Sequence, residues 1–276
     1  MTNGFAEDFS LEQLEDGTFA RLVGAKWWGD RSPHGGYLAS LMLKAMRDAI
    51  DDAARPARSL SVHFLAPPRE GSVTIAPRIE RSGRVLTSAS ATLRQGDAAL
   101  ALALATFSSS WPGLDYIERP MPDTPAPDAL ASAPMVDGLA PEFFNNFDVR
   151  PAIGERPFTS AGTAMSGGWI RTAEPHVLDE ILMTVFADAW FPTIFARLSA
   201  PVPVPTVDLT VHFRTPLPIE GAAPDDFCLA VFSSEMAHDG FFVEDGEMWS
   251  ASGHLLAQSR QLGVMIRPPP EGPLRT

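Results

Sequence analysis

Few side chains in this sequence sit where their chemistry would be unusual. Asp188 is flanked by Phe186, Ala187, Ala189 and Trp190, and Gln261 lies in the strand-like, largely apolar run Leu255–Ile266. A carboxylate only accepts hydrogen bonds, so it can orient a water molecule and take its proton, whereas a Gln amide or a Thr hydroxyl both donates and accepts. Each also has an ordinary interpretation: Asp188 as a solvated helix residue, Gln261 as an edge-facing side chain, and Thr206 as a common way to start the run Val207–Phe213. Pro33-His34-Gly35-Gly36 precedes Leu38, Leu41, Met42 and Ala45, which recur at helical spacing. Glycines there allow a carbonyl to approach the free N–H groups of a helix start closely. His34 is equally a helix-entry residue. Cys228 has no base beside it in sequence, and His63 and His212 fall inside strand-like runs, where packing roles are expected. No His, Cys or carboxylate cluster has metal-ligand spacing, and no phosphate-binding or dinucleotide fingerprint is present. Residue types alone choose no reaction.

The elements that must position these groups come as a repeat. Ser61-Val62-His63-Phe64, followed by Pro67-Pro68, recurs as Thr210-Val211-His212-Phe213, followed by Pro216 and Pro218. Gly83 and Gly96 bracket the strand-like segment Val85–Leu93, and Gly240 and Gly253 bracket Phe241–Ala251. A further strand-like run follows each second glycine, Ala98–Phe107 and Leu255–Ile266. In the first of these, leucines alternate with alanines, a period of two that gives one large face and one small. Each half therefore predicts strand, helix, then several strands: Thr18–Val23 and the helix Tyr37–Ala49 in the first, Phe147–Pro151, Trp169–Thr172 and a helix within Leu178–Leu198 in the second. Pro192 should kink or end that helix. Between the halves, Pro112–Pro141 holds seven prolines in 30 residues, the mark of an extended connector.

The chain has 276 residues, 45% of them hydrophobic, and a net charge of −13. That is enough apolar material for a sizeable core and too acidic for nucleic acid, which needs a surplus of Lys and Arg. A single cysteine excludes an intrachain disulfide. The longest apolar run, Ala98–Phe107, is about half the ~20 residues of a membrane span, and no basic-then-apolar segment opens the chain, so a cytoplasmic location is expected.

The order of these features, from about Phe19 to Arg267, resembles the double-hotdog acyl-CoA thioesterases, the family of bacterial acyl-CoA thioesterase II and its peroxisomal relatives. The resemblance is carried by Gly35-Gly36, Val62-His63-Phe64 with Pro67, Glu80-Arg81 before Gly83, Val149-Arg150-Pro151 and Trp169-Ile170-Arg171. It continues through Thr206-Val207-Asp208, His212-Phe213-Arg214 with Pro216, and Leu256–Gln261 followed by Met265 and Arg267. It implies an α+β double hotdog, two antiparallel sheets each wrapped around one long helix. Residues 1–111 would form an N-terminal hotdog, 112–141 a Pro-rich linker and 142–276 a C-terminal hotdog.

The same resemblance implies hydrolysis of an acyl-CoA to free acid and CoA, with no covalent nucleophile, cofactor or metal. In that family an Asp on the second helix, a Thr before the following strand and a Gln on the last strand hold the attacking water. Asp188, Thr206 and Gln261 stand at those positions, with His34, Gly35 and Gly36 expected to bind substrate. Leu262 replaces the Glu that usually follows the Gln, and Ala187 replaces a common Ser. Counting from the paired glycines, the first-half match to Gln261 is Leu104, and no carboxylate between Gly35 and Arg47 matches Asp188, so one active site per chain is expected. Gly29-Asp30-Arg31-Ser32-Pro33-His34 partly resembles the hotdog hydratase motif, with Asp30 and His34 as acid and base, but has Ser32 in place of Asn and one residue fewer between them. A non-catalytic acyl-thioester binder is the third possibility. Arg31, Arg69, Arg150, Arg171 and Arg214 are the candidate contacts for CoA phosphates. Exposed sheet edges and faces predict a homo-oligomer.

Overall fold

A computed structural model describes residues 4–29, 32–133 and 141–266. Asp30, Arg31, residues 134–140 of the connector, Arg267 and the tail 268–276 lie outside the described residues. The first half comprises α1 (Phe5–Asp8), β1 (Glu12–Gln13), β2 (Phe19–Val23), α2 (Gly35–Ile50), β3 (Ala57–Phe64), β4 (Gly71–Ser82), β5 (Leu86–Gln95) and β6 (Ala98–Ser108). The second comprises β7 (Phe147–Gly154), β8 (Ala164–Thr172), α3 (Glu180–Phe186), α4 (Ile194–Arg197), β9 (Thr206–Phe213), β10 (Cys228–Ser234), β11 (Ala237–His238), β12 (Phe241–Ser250) and β13 (Leu255–Val264).

The strands form one antiparallel sheet of 13 in the order β1-β2-β4-β5-β6-β3-β9-β13-β12-β10-β8-β7, with β11 beside β12. The two expected sheets are thus joined edge to edge through β3 and β9 into one. β3 and β9 would each be a bare edge of its own half, and their pairing satisfies both rows of backbone donors and acceptors. Ser61 lies directly opposite Thr210 at this join, and their hydroxyls are 3.0 Å apart. These are the first residues of the repeated tetrapeptides, so an approximate two-fold axis passes between them. It relates β3 to β9, β6 to β13, β5 to β12 and β4 to β10.

Helix α2 packs against the strands of the first half, chiefly β4 and β5. Along β6 the alanine face (Ala101, Ala103, Ala105) is buried, while Leu102 and Leu104 point outward, 45% and 55% exposed. Small side chains let the helix lie close to the sheet.

The second helix departs from expectation. Instead of one long helix, α3 has seven residues and stops well before Pro192. In a continuous helix the proline ring would meet the carbonyl four residues earlier, that of Asp188. The chain instead tightens into short-range turns, Asp188 N–H to the Val185 carbonyl (3.1 Å) and Ala189 N–H to that of Phe186 (3.3 Å). That leaves the Asp188 carbonyl available to another element.

Over its described residues the connector is largely extended, as its prolines require, and it also acts as a cover. Met121 and Leu130 pack on Trp169, Leu229, Val231 and Trp249. The Trp169 indole donates to the Pro125 carbonyl (2.8 Å), and Arg150 donates to that of Pro127 (2.7 Å). β10 is thereby buried on both faces. Among the described residues no helix is long and apolar enough to cross a membrane.

Candidate active site

The start of α2 and the turn after α3 meet at Asp188. Its Oδ2 accepts the Gly36 N–H at 2.9 Å, so the carboxylate sits on the positive end of a 16-residue helix. His34 caps the same helix: Nδ1 accepts the Tyr37 N–H (3.1 Å), and Nε2 must therefore carry the ring proton, which it donates to the Asp188 carbonyl (2.7 Å). Nε2 also lies 3.5 Å from Asp188 Oδ2. Burial pushes the imidazole below the ordinary histidine range, partly opposed by the Asp188 carboxylate and carbonyl. With both nitrogens engaged, a neutral His34 has no lone pair left for a substrate proton. The other half of the hydratase motif, Asp30, lies outside the described residues.

Gly35 and Gly36 are dictated by this contact. A Cβ on Gly36 would meet the Val185 carbonyl and the His34 ring at 2.8 Å, and on Gly35 it would meet Asp188 Oδ2 at 2.8 Å and the Phe64 ring at 3.3 Å. The helix start can reach Asp188 only without side chains there.

On the sheet, Thr206 Oγ1 donates to Gln261 Oε1 at 3.1 Å, joining residues 55 apart in sequence. The Gln261 amide in turn donates from Nε2 to Glu244 Oε1 (2.7 Å), and Glu244 Oε2 accepts the Thr193 N–H (2.6 Å). Glu244 is 2% exposed. Burial raises its pKa above the usual carboxylate range, its hydrogen bonds with Thr193 and Gln261 oppose this, and the nearby Asp188 charge raises it further. Thus Thr206 and Gln261 touch directly, and Asp188 touches His34 and Gly36. Glu244 connects the two groups, bonded to Gln261 and to the segment that follows Asp188. Sequence analysis overlooked Glu244. The signal was the period of two along β12, which places Glu244 on the inward face with Phe242 and Met248.

The two-fold relation tests the first half. Across the join, Thr206, Gln261 and Glu244 correspond to Ala57, Ala105 and Ala89. Leu104 is not the match to Gln261: Gly96 lies three residues before Ala99, the partner of Arg94, whereas Gly253 lies two before Leu255, the partner of Trp249, so counting from the glycines slips by one residue. In the first half a different carboxylate, Glu180 of α3, is buried against the Ala57 N–H (2.8 Å), with Arg47 at 3.8 Å.

Of the candidate arginines, Arg150 and Arg171 both pair with Asp148 at 3.1 Å and stack on Phe227, so they are structural partners of one another. Cys228 is fully buried, and burial drives its thiol pKa far up, which leaves it inert.

A family model described as the acyl-CoA thioesterase C-terminal domain matches residues 123–265, and one described as the N-terminal domain matches residues 25–108. An uncharacterised protein of Mycobacterium tuberculosis is 27% identical over 269 residues, covering 84% of this chain and 85% of that protein. A solved structure from Alicyclobacillus acidocaldarius, described as a protein of unknown function with a hot dog fold, is 26% identical with a TM-score of 0.87, over 97% of this chain and 100% of that one. An acyl-CoA thioesterase II from Mycobacterium marinum shares the fold at a TM-score of 0.75 and 20% identity, over 94% of this chain and 97% of that one. With both halves matched in order over most of its length, this chain belongs to the acyl-CoA thioesterase family.

Proposed function

We propose that the protein hydrolyses the thioester of an acyl-CoA, with Asp188, Thr206 and Gln261 holding the attacking water. The observation that carries this reading is the 3.1 Å bond between Thr206 and Gln261, which joins two of the three expected residues at one partly buried spot. In this scheme Asp188 accepts a proton from the water as its oxygen attacks the carbonyl carbon, and the tetrahedral oxyanion then expels the CoA thiolate, which takes up the proton. The N-terminal dipole of α2, whose Gly36 and Tyr37 N–H groups hold Asp188 and His34, stabilises the oxyanion from behind these two residues. Alanines at the three matching first-half positions support one active site per chain. Residues 1–111 and 142–276 act as two hotdog units joined by the connector 112–141, and the protein works in the cytoplasm, in lipid metabolism, as a homo-oligomer. Light scattering checks the last point.

Free-CoA release across a series of acyl chain lengths tests the chemistry. Asp188→Asn should lower kcat by about 10²- to 10⁴-fold at unchanged thermal stability. Turnover within a few-fold of wild type would remove Asp188 from the mechanism, and acyl-CoA that protects the fold without yielding CoA would make the protein a binder.

A further inference from the structure

We propose that Glu244 is a positioning residue, which decides which end of the Gln261 amide faces Thr206. The inference rests on the proposed role of Gln261 in holding the water.

A Gln amide has two chemically opposite ends, and an isolated Thr neighbour accepts either: the hydroxyl can donate to Oε1 or accept from Nε2. Glu244 removes the choice. Its Oε2 already accepts the Thr193 N–H (2.6 Å), and in the ionised form its Oε1 only accepts, so the group 2.7 Å away is then the Gln261 Nε2. Oε1 of Gln261 then faces Thr206 and takes its hydroxyl proton (3.1 Å). The consequences at the water follow from this direction. Thr206 presents lone pairs rather than a proton, so it accepts a hydrogen from the water and leaves the water's own lone pair directed at the carbonyl carbon. The second Nε2 hydrogen of Gln261 remains to hold the water from its other side. Were the amide reversed, the Thr206 hydroxyl proton would be free to turn toward the water, so that Thr206 donates to the water instead of accepting from it. The same carboxylate, by holding the Thr193 N–H, ties the segment after Asp188 to the strand that carries Gln261.

Glu244→Gln is nearly isosteric and has only one acceptor oxygen. Kept on Thr193, that oxygen leaves an amide NH₂ facing Gln261, which must turn its Oε1 inward and its NH₂ toward Thr206. We expect kcat to fall by roughly 10- to 100-fold, as for a small misplacement of a catalytic group, with KM within about twofold. In the Gln261→Ala background the same change should cost nothing more, because the residue it acts through is gone. Unchanged kcat in Glu244→Gln, or a loss that repeats in full on Gln261→Ala, overturns the inference. If Gln261→Ala alone keeps wild-type turnover, the proposed site itself fails, a distinguishable result. A second measurement needs no change at Glu244. The Gln261 side-chain amide signals of ¹⁵N-labelled protein, identified by their loss in Gln261→Ala, should shift as the Glu244 carboxyl takes up its proton above the ordinary carboxylate range, with Asp188 the other charge that reaches it. Signals that stay fixed over the whole pH range in which the protein stays folded overturn it, even if Glu244→Gln does not fold.

Discussion

His34 shows how one residue can be bound into a site without acting as its base. Its ring caps α2 and holds the Asp188 carbonyl, and both contacts need the neutral tautomer. Its pKa is lowered, so in the window between the folded value and about 6.5 the unfolded chain binds the extra proton and stability falls as pH decreases. Glu180 and Glu244 act in the opposite direction: their raised pKa values mean the folded state keeps protons that the unfolded chain has lost, so their contribution weakens as pH rises above about 4.5. His34→Asn, which retains a good N-cap acceptor, separates the effects. Urea unfolding below about pH 6.5 should show wild type losing up to about 1.4 kcal/mol per pH unit relative to the variant. A difference between them that does not vary with pH would mean that His34 is charged in the fold.

Between elements, the contact of α2 with the turn after α3 is the critical distance. The two glycines at the start of α2 face different kinds of neighbour, so they predict different losses. A methyl on Gly36 meets backbone carbonyls of α3 at 2.8 and 3.0 Å, which yield only if the helices separate. Gly36→Ala should therefore destabilise by roughly 1–3 kcal/mol, despite the better helix propensity of alanine. A methyl on Gly35 meets the Asp188 side chain, which can rotate away. Gly35→Ala should melt near the wild-type temperature and lose turnover. Thermal melts read beside CoA release check both, and the reverse pattern would contradict the packing described.

At the scale of the whole molecule, the β3–β9 join makes one core of two repeats. Leu60, Val62, Leu209 and Val211 are fully buried at the centre of the sheet, on paired strands from opposite halves. Separation of the halves would expose this apolar surface together with two unpaired edges. Amide protons of these four residues should exchange only through global unfolding, and urea should unfold both halves in a single transition. Two transitions, or faster exchange at the join than within β5, would show that the halves are independent.

The sequence alone determined the repeat, most of the strands and helix α2, because period-two and helical spacing are local properties that burial imposes on each element. It also supplied Asp188, Thr206 and Gln261, through motifs in a recognisable order, and the Thr206–Gln261 pair is in contact in the fold. Other features belong to the tertiary structure. Pro192 announced an interruption, but only the fold shows that α3 ends at Phe186 and that His34 takes up the freed Asp188 carbonyl. Glu244 went unnoticed although alternation along its strand turns it inward, and its partners come from β13 and the segment after α3, which no spacing links. The exchange of Leu104 for Ala105 as the match to Gln261 has a similar cause. Alternation fixes which face a residue takes within its strand, whereas turn length and pairing fix what lies across from it. Strand registry, the fusion of two sheets into one and the direction of a hydrogen-bond chain depend on groups brought together from distant parts of the chain.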